Sequence, residues 1–166
     1  MSVPDTPRCV LVTGAIGSGK TFLASRLLKC RDLPYVNPDI YLQYLIRCEC
    51  CPESERYDRA RRLCRRRLHS LLDERRSFVW ETVLASEWKW DFLARSRLSH
   101  LLTVLYITVD SLEVCLQRAK RRGDAGWYRV PPEKVVESHR SMALGRLRLM
   151  EVAHEFVVIN NSHDLS

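Results

Sequence analysis

The segment GAIGSGKT, residues 14–21, follows the apolar run CVLVT and limits what this chain can fold into more than any other feature. Gly14, Gly19, Lys20 and Thr21 satisfy G-x-x-x-x-G-K-[ST], with Gly17 and Ser18 inside the loop. Each residue type has a physical reason. Glycines let successive backbone N–H groups turn inward as an anion-binding nest. The lysine reaches the terminal phosphates of a nucleotide, and the hydroxyl beside it ligates Mg²⁺. The helix that follows points the positive end of its dipole at the same phosphates. The motif therefore needs a strand before it and a helix after it, and the sequence supplies both.

The alternation continues to the end of the chain. RCVLVT (8–13) reads as a buried strand, and 19–30 as a helix with Leu23, Leu27 and Cys30 on one face. A short strand at Tyr35-Val36 follows. Asn37-Pro38 opens a helix, Asn as N-cap and Pro at the first position, which puts Asp39 in the first turn. The spacing predicts a long helix over 53–76, with Tyr57, Ala60, Cys64, Leu68 and Leu71 as its apolar stripe and arginines over the rest. SFVWE (77–81) is a strand, 88–98 a helix and 101–109 the strongest strand. Ser111 caps a helix with the stripe Leu112, Cys115, Leu116 and Ala119, which GDAGW (123–127) breaks. Pro131-Pro132 starts a helix running to about Ala153 and disturbed at Gly145; FVVIN (156–160) is the last strand. Short buried strands alternating with helices specify an α/β protein, a parallel sheet covered on both faces. Length suits one domain, 1–166, and no repeat, linker or low-complexity segment interrupts it.

Composition removes several classes. No apolar run approaches the roughly 20 residues of a membrane helix, and MSVPDTPR lacks the apolar region of a secretory signal. Seven cysteines form no recognisable disulfide framework, so the expectation is a reduced, cytoplasmic protein using Cys as a small apolar filler. Cys48, Cys50 and Cys51 cluster, but no second CxxC or His pair completes a zinc set. The formal charge is +7, and 22 of the 27 basic residues are arginine. Arginine's planar fork suits phosphate and carboxylate, so acidic ligands are expected, nucleic acid included.

Nucleotide binding leaves a GTPase switch, an ATP-driven machine or a small-molecule kinase. The N-K-x-D and D-x-x-G segments of GTPases are absent, and the chain is short for a ring-forming ATPase with its arginine-finger subdomain. A kinase needs an acid for the Mg²⁺ shell, a group that orients the acceptor hydroxyl, and cations for the phosphoryl group. In open α/β sheets these lie at the carboxyl ends of the strands. Asp39, in VNPD, is placed to take a proton from the hydroxyl or fix its direction; as a helix N-terminal charge alone it would contribute about 0.3–1 kcal/mol. Glu81, closing FVWE, suits water-mediated contact with Mg²⁺, and Thr82 follows it. Arg118, Arg121, Arg122 and Arg129 surround the glycine-broken turn, a candidate lid spanning about 118–131.

GAIGSGKT, YVNPD, FVWETVLAS, RAKRRGDAGWYRVPPEKVVESHR and VVINNS occur here in an order that resembles the zeta-toxin family of P-loop kinases, over about residues 8–162. The resemblance implies five parallel strands in the order 2-3-1-4-5. It also implies ATP-dependent phosphorylation of a small molecule, typically UDP-N-acetylglucosamine at a sugar hydroxyl. It makes Asp39 the general base, and Lys20 and Thr21 the phosphate and Mg²⁺ residues. Glu81 becomes the acid of the substrate pocket, Arg118 and Arg129 a clamp on the γ-phosphate, and Asn160 and Asn161 neighbours of the adenine. An antitoxin partner belongs to the same expectation. The chain is shorter than the well-known toxins, and carries Gly126-Trp127-Tyr128 where relatives of its size have Gly-Gly-His, so a different sugar nucleotide, a nucleoside or an amino sugar is also open as acceptor.

Two other classes compete. RARRLCRRR (59–67) carries six arginines, which would suit an RNA or DNA kinase or an RNA-binding protein; the third class is a non-catalytic nucleotide-binding module. Against nucleic acid, the arginines lie opposite an apolar stripe, and no interleaved aromatics offer base stacking.

Overall fold

A computed structural model of the chain describes residues 6–27 and 32–163. Residues 28–30 of the expected first helix, Cys30 included, and the Leu27 side chain lie outside the described residues.

The elements are β1 (Arg8–Gly14), α1 (Lys20–Leu27), β2 (Tyr35–Val36), α2 (Pro38–Cys48), α3 (Glu53–Asp73), β3 (Phe78–Thr82), α4 (Glu87–Ser99), β4 (Leu101–Thr108), α5 (Leu112–Asp124), α6 (Pro132–Val152) and β5 (Glu155–Asn160). The strands form one parallel sheet, ordered β2-β3-β1-β4-β5. The order expected from the resemblance is thus the order found. Alternation along β1 explains its central place. Cys9 and Leu11 join the cluster made with α3, α4 and α6, while Val10 and Val12 join the one made with α1. A strand apolar on both sides must be covered on both sides. Register then sets the site. Val12 lies opposite Glu81 and Thr13 opposite Thr82, so β1 and β3 end level and deliver Glu81 to the phosphate loop.

Three local differences from the sequence reading have physical causes. Tyr57 is not part of the α3 stripe; it is 44% exposed and stacks on Tyr128, ring centroids 6.0 Å apart, while Leu72 joins the buried set. α3 stops at Asp73 rather than 76 because the chain turns left-handed at Arg75 (φ 53), where Arg75 N and Arg76 N bond Leu72 O and Leu71 O. α6 runs unbroken through Gly145, where a Cβ would lie 3.1 Å from the Trp90 ring of α4. The glycine admits the indole rather than bending the helix. Cys48 and Cys50 are joined as a disulfide at the end of α2, against the expectation of a wholly reduced set; Cys9, Cys51, Cys64 and Cys115 are buried thiols. Among the described residues no helix is long and apolar enough to cross a membrane.

Candidate active site

The phosphate loop turns tightly between three elements. Gly17 and Gly19 adopt φ 83 and 88, which side chains disfavour. A Cβ on Gly19 would stand 2.2 Å from Asn161 Nδ2, and one on Gly17 2.3 Å from the Cys115 carbonyl oxygen of α5. Gly14 approaches Ile107 O of β4 as closely. Asn161 Nδ2 donates to Ser18 O (2.9 Å), and Ile16 N donates to Ser138 Oγ of α6 (3.0 Å), so both sides of the loop are tied down. The Ser18 hydroxyl is fully buried and has no partner among the described residues. Lys20 is 9% exposed and donates from Nζ to Ala15 O (2.7 Å) across the loop mouth. Burial holds its pKa below the ordinary lysine range; the charges of Glu81 and Asp39 oppose that shift, and Arg122 adds to it. A buried ammonium spanning its own loop, an unpartnered hydroxyl and glycines placed for inward N–H groups fit the phosphates of ATP. Bound there, ATP would supply the phosphoryl group and Mg²⁺ would offset its charge, with Thr21 and, through water, Glu81 as the residues to hold the ion.

A chain of hydrogen bonds leads from this loop to the first turn of α2. Thr21 Oγ1 donates to Glu81 Oε1 (2.7 Å), and Tyr35 OH donates to Glu81 Oε2. Burial, then the Glu81 charge, pushes the Tyr35 pKa up, which keeps the phenol a donor. Asn37 Nδ2 reaches the Tyr35 oxygen at 3.5 Å, and Asn37 Oδ1 accepts from Asp39 N at 2.8 Å, the N-cap read from the sequence. Asp39 is thereby fixed relative to Glu81 through one tyrosine and one asparagine. Its Oδ2 accepts from Arg122 Nη2 at 2.7 Å, and the Arg122 guanidinium lies 5.1 Å over the Trp127 ring. Thr82 sits one residue beyond Glu81; its carbonyl accepts from Thr13 Oγ1 and its hydroxyl from Lys89 Nζ, both at 2.9 Å.

The remaining expected residues are placed differently from one another. Arg118 donates to Asn161 O (2.7 Å), behind the loop, while Arg129 pairs with Asp124 at the exposed turn. The two hold separate partners. Asn160 Nδ2 donates to Asp110 Oδ1, and its Oδ1 accepts from Ser162 N; Asn161, not Asn160, touches the loop. Arg122 is one of the four arginines that the sequence sets around the glycine-broken turn, and its spacing of four from Arg118 puts both on one face of α5. The partnership with Asp39 had no sequence signal, nor did the Tyr35–Glu81 bond.

A family described as AAA domain matches residues 9–144, most of the chain, and the chain belongs to that family. Within it the architecture is that of a P-loop kinase-like protein. A protein from Chloroflexus aurantiacus assigned provisionally as a kinase superposes with a TM-score of 0.69 at 17% identity, over 95% of this chain and 90% of that one. A chain of the AvrRxo1-ORF1:AvrRxo1-ORF2 complex gives 0.74 at 17%, over 93% of this chain and 55% of its own length, so this chain spans about half of that protein. Shikimate kinase from Bacteroides thetaiotaomicron gives 0.58 at 16%, over 96% and 89%. No curated protein is similar to the sequence at a level that supports inference. At these identities the likeness shows the kinase-like fold.

Proposed function

We propose that the protein is an ATP- and Mg²⁺-dependent phosphotransferase that moves the γ-phosphoryl group to a hydroxyl of a small acceptor, in the manner of the zeta-toxin kinases. The acceptor class is a sugar nucleotide such as UDP-N-acetylglucosamine or a related small molecule. The observation that carries this is the hydrogen-bond chain Thr21–Glu81–Tyr35–Asn37–Asp39. It sets a free-edged carboxylate beside a buried phosphate-binding lysine, which a plain nucleotide-binding module does not need. Asp39 orients the acceptor hydroxyl and takes its proton; Lys20 stabilises charge on the transferring group; Arg118, which backs the loop at Asn161 O, and Arg129 of the lid, with Arg122 between them in sequence, turn onto it when ATP is bound. Glu81 and Thr82 line the acceptor side, and Asn160 sits at the adenine end. A protein partner of the antitoxin kind is part of this reading, and co-purification from the native host tests it.

The experiment is incubation with labelled ATP and Mg²⁺ against nucleotide sugars, hexose phosphates, nucleosides, hydroxy acids and oligonucleotides. Transfer to a small hydroxyl compound supports the reading. Transfer to oligonucleotide ends alone would replace it with a polynucleotide kinase, and tight ATP binding with no transfer to any class with a non-catalytic module.

A further inference from the structure

Lys89 lies outside the hydrogen-bond chain just described, yet stands at the same edge of the sheet. It sits in the first turn of α4 and donates from Nζ to Thr82 Oγ1 (2.9 Å) and Val83 O (2.5 Å). An ammonium has three N–H donors, so one is left without a protein partner among the described residues. No carboxylate pairs with it there either. The charges that face it are cations, Arg61 of α3 and Lys20 of the phosphate loop, with the Cys64 thiol of α3 also close. Arg65, one turn along α3 from Arg61, lies 5.1 Å over the Trp88 ring, and Lys89 Nζ is 5.9 Å from the same ring. Burial, with Arg61 adding to it, lowers the Lys89 pKa to about 8.

A partly buried cation among cations costs stability, and folded proteins normally pair such a charge. Here the Trp88 ring and two neutral acceptors offset it only in part, and no carboxylate among the described residues pairs with it. The position says what would. The loop is backed on the β4–β5 side by Asn161 and Arg118, whereas Lys89 lies across β1 at the end of β3, which carries Glu81 and Thr82, with Arg61 and Cys64 of α3 near it. Tyr57 of α3 stacks on Tyr128 of the lid segment and so closes α3 toward the lid. In the kinase reading, this strand end and the lid beside it form the acceptor side.

We infer that the acceptor carries an oxyanion, a phosphate ester or a carboxylate, and that Lys89 binds it with Arg61 adding positive field. This rests on the kinase reading above and names the substrate chemistry of that same site. Lys89 thereby selects acceptors: an anionic group seats on its free N–H and presents a hydroxyl to Asp39, while a neutral alcohol leaves the cation uncompensated.

Two measurements test this separately from the kinase reading. In the first, a non-hydrolysable ATP analogue with Mg²⁺ fills the phosphate loop of the wild-type protein. Acylation of Lys89 is then followed by mass spectrometry in sodium phosphate, sodium acetate or sodium chloride of equal ionic strength. At about four times its Kd an anion protects about fivefold by mass action, and Arg61→Gln should weaken that protection. Protection by phosphate alone identifies a phosphate ester, and by acetate alone a carboxylate. Labelling equal in all three salts overturns the inference, whether or not any acceptor is found. In the second, paired acceptors differ only in the anionic group, a hexose phosphate against the hexose and an aldonic acid against its alditol. The anionic member should be preferred, and Lys89→Met should raise its KM about tenfold or more, with the KM for ATP unchanged. Preference for the neutral member, or an unchanged acceptor KM in Lys89→Met, would also overturn it. Failure of every acceptor would count against the kinase reading, while the labelling result still decides the oxyanion site.

Discussion

The two sides of the cleft, divided at β1, are held in different ways. On the β4–β5 side the phosphate loop is fixed to backbone: Asn161 on Ser18 O, Lys20 on Ala15 O, glycines pressed against the carbonyls of Ile107 and Cys115. On the β2–β3 side the contacts run between side chains of separate segments: Asp39 with Arg122, Tyr57 with Tyr128, Arg65 with Trp88. The Asp39 and Arg122 side chains are 41% and 38% exposed, whereas Ser18 is fully buried. Backbone contacts in a buried turn change little without unfolding. Half-exposed side-chain pairs exchange partners at small cost, since an exposed ion pair is worth only about 0–1 kcal/mol. The first arrangement suits a ligand that is always the same, the second a wall that must open for an acceptor and close over it.

The largest expected effect falls on the movable side. Asp39→Asn keeps shape and the bond from Asp39 N, which the Asn37 side chain accepts. Turnover should fall by about 10²–10⁴ while ATP affinity survives, both measured on one preparation. Unchanged turnover would take Asp39 out of the mechanism and reduce its contact with Arg122 to a helix-end ion pair. Lys20→Ala comes next, on the rigid side. Turnover should drop by about 10²–10³, and the circular dichroism melt should keep its shape, because a buried cation is removed rather than a packed group. A variant with more than about a tenth of wild-type turnover would show that the loop does not serve transfer.

Gly19→Ala probes the claim of rigidity itself. Its Cβ would stand 2.2 Å from Asn161 Nδ2 at a φ of 88, so denaturant unfolding should show a loss of about 1–3 kcal/mol. Adding Asn161→Ala removes the steric part and should restore some of that loss. If it restores none, backbone strain alone accounts for the glycine.

Smaller again is a pH effect on the other side. Lys89 titrates at about 8 in the fold against an ordinary 10.5, so the unfolded chain binds the extra proton between those values and its share of stability rises as pH increases. Arg61, Lys20, the Cys64 thiol and the Trp88 ring face this group. Lys89→Met should therefore gain on the wild type below pH 8 and lose that gain toward pH 10. Discounting for partial exposure, the change is on the order of 1 kcal/mol. The raised pKa of Tyr35 acts the opposite way but is common to both proteins and cancels in the difference, whereas the Cys64 thiol, which the Lys89 charge holds down, is pushed higher still in Lys89→Met and stays protonated across this range. A gap that stays constant with pH would mean Lys89 is not titrating in this range.

This contrast also explains what could be read in advance. The phosphate loop on the rigid side and the helix start after β2 on the other were legible because their requirements are local. A loop of fixed glycine spacing needs its strand and helix, and an Asn-Pro pair sets a helix start, so β1, α1, the α2 cap and the positions of Glu81 and Asp39 followed from short stretches. The long-range partners did not. Tyr35 reaches Glu81 across 46 residues and Arg122 reaches Asp39 across 83, and no periodicity encodes which of several arginines arrives. Tyr57 had the spacing of the α3 stripe but lies one turn before the buried run, where the lid rather than the sheet is its neighbour. Lys89 gave no signal, since a lone lysine in a helical stretch reads as solvated.

The smallest expected effect separates two faces of α3. Six arginines between 59 and 67 read as a single basic block, yet the helix divides them. Arg61 lies over the Tyr57 ring and acts on Lys89, and Arg65 lies over Trp88, so these two, though exposed, lie on the side of α3 toward Lys89. Arg62 and Arg66 are exposed, opposite the buried Cys64 and Leu68. Changing Arg62 and Arg66 together to Gln removes two charges from a solvated face, where substitutions stay within about 0.5 kcal/mol. Turnover and acceptor KM should match the wild type, and Arg61→Gln with Arg65→Gln, the same loss of charge one position earlier, should not. Equal effects from the two double variants would mean that α3 acts through its overall charge. That would shift the basic face toward nucleic-acid binding and dissolve the contrast between a fixed phosphate side and a selective acceptor side.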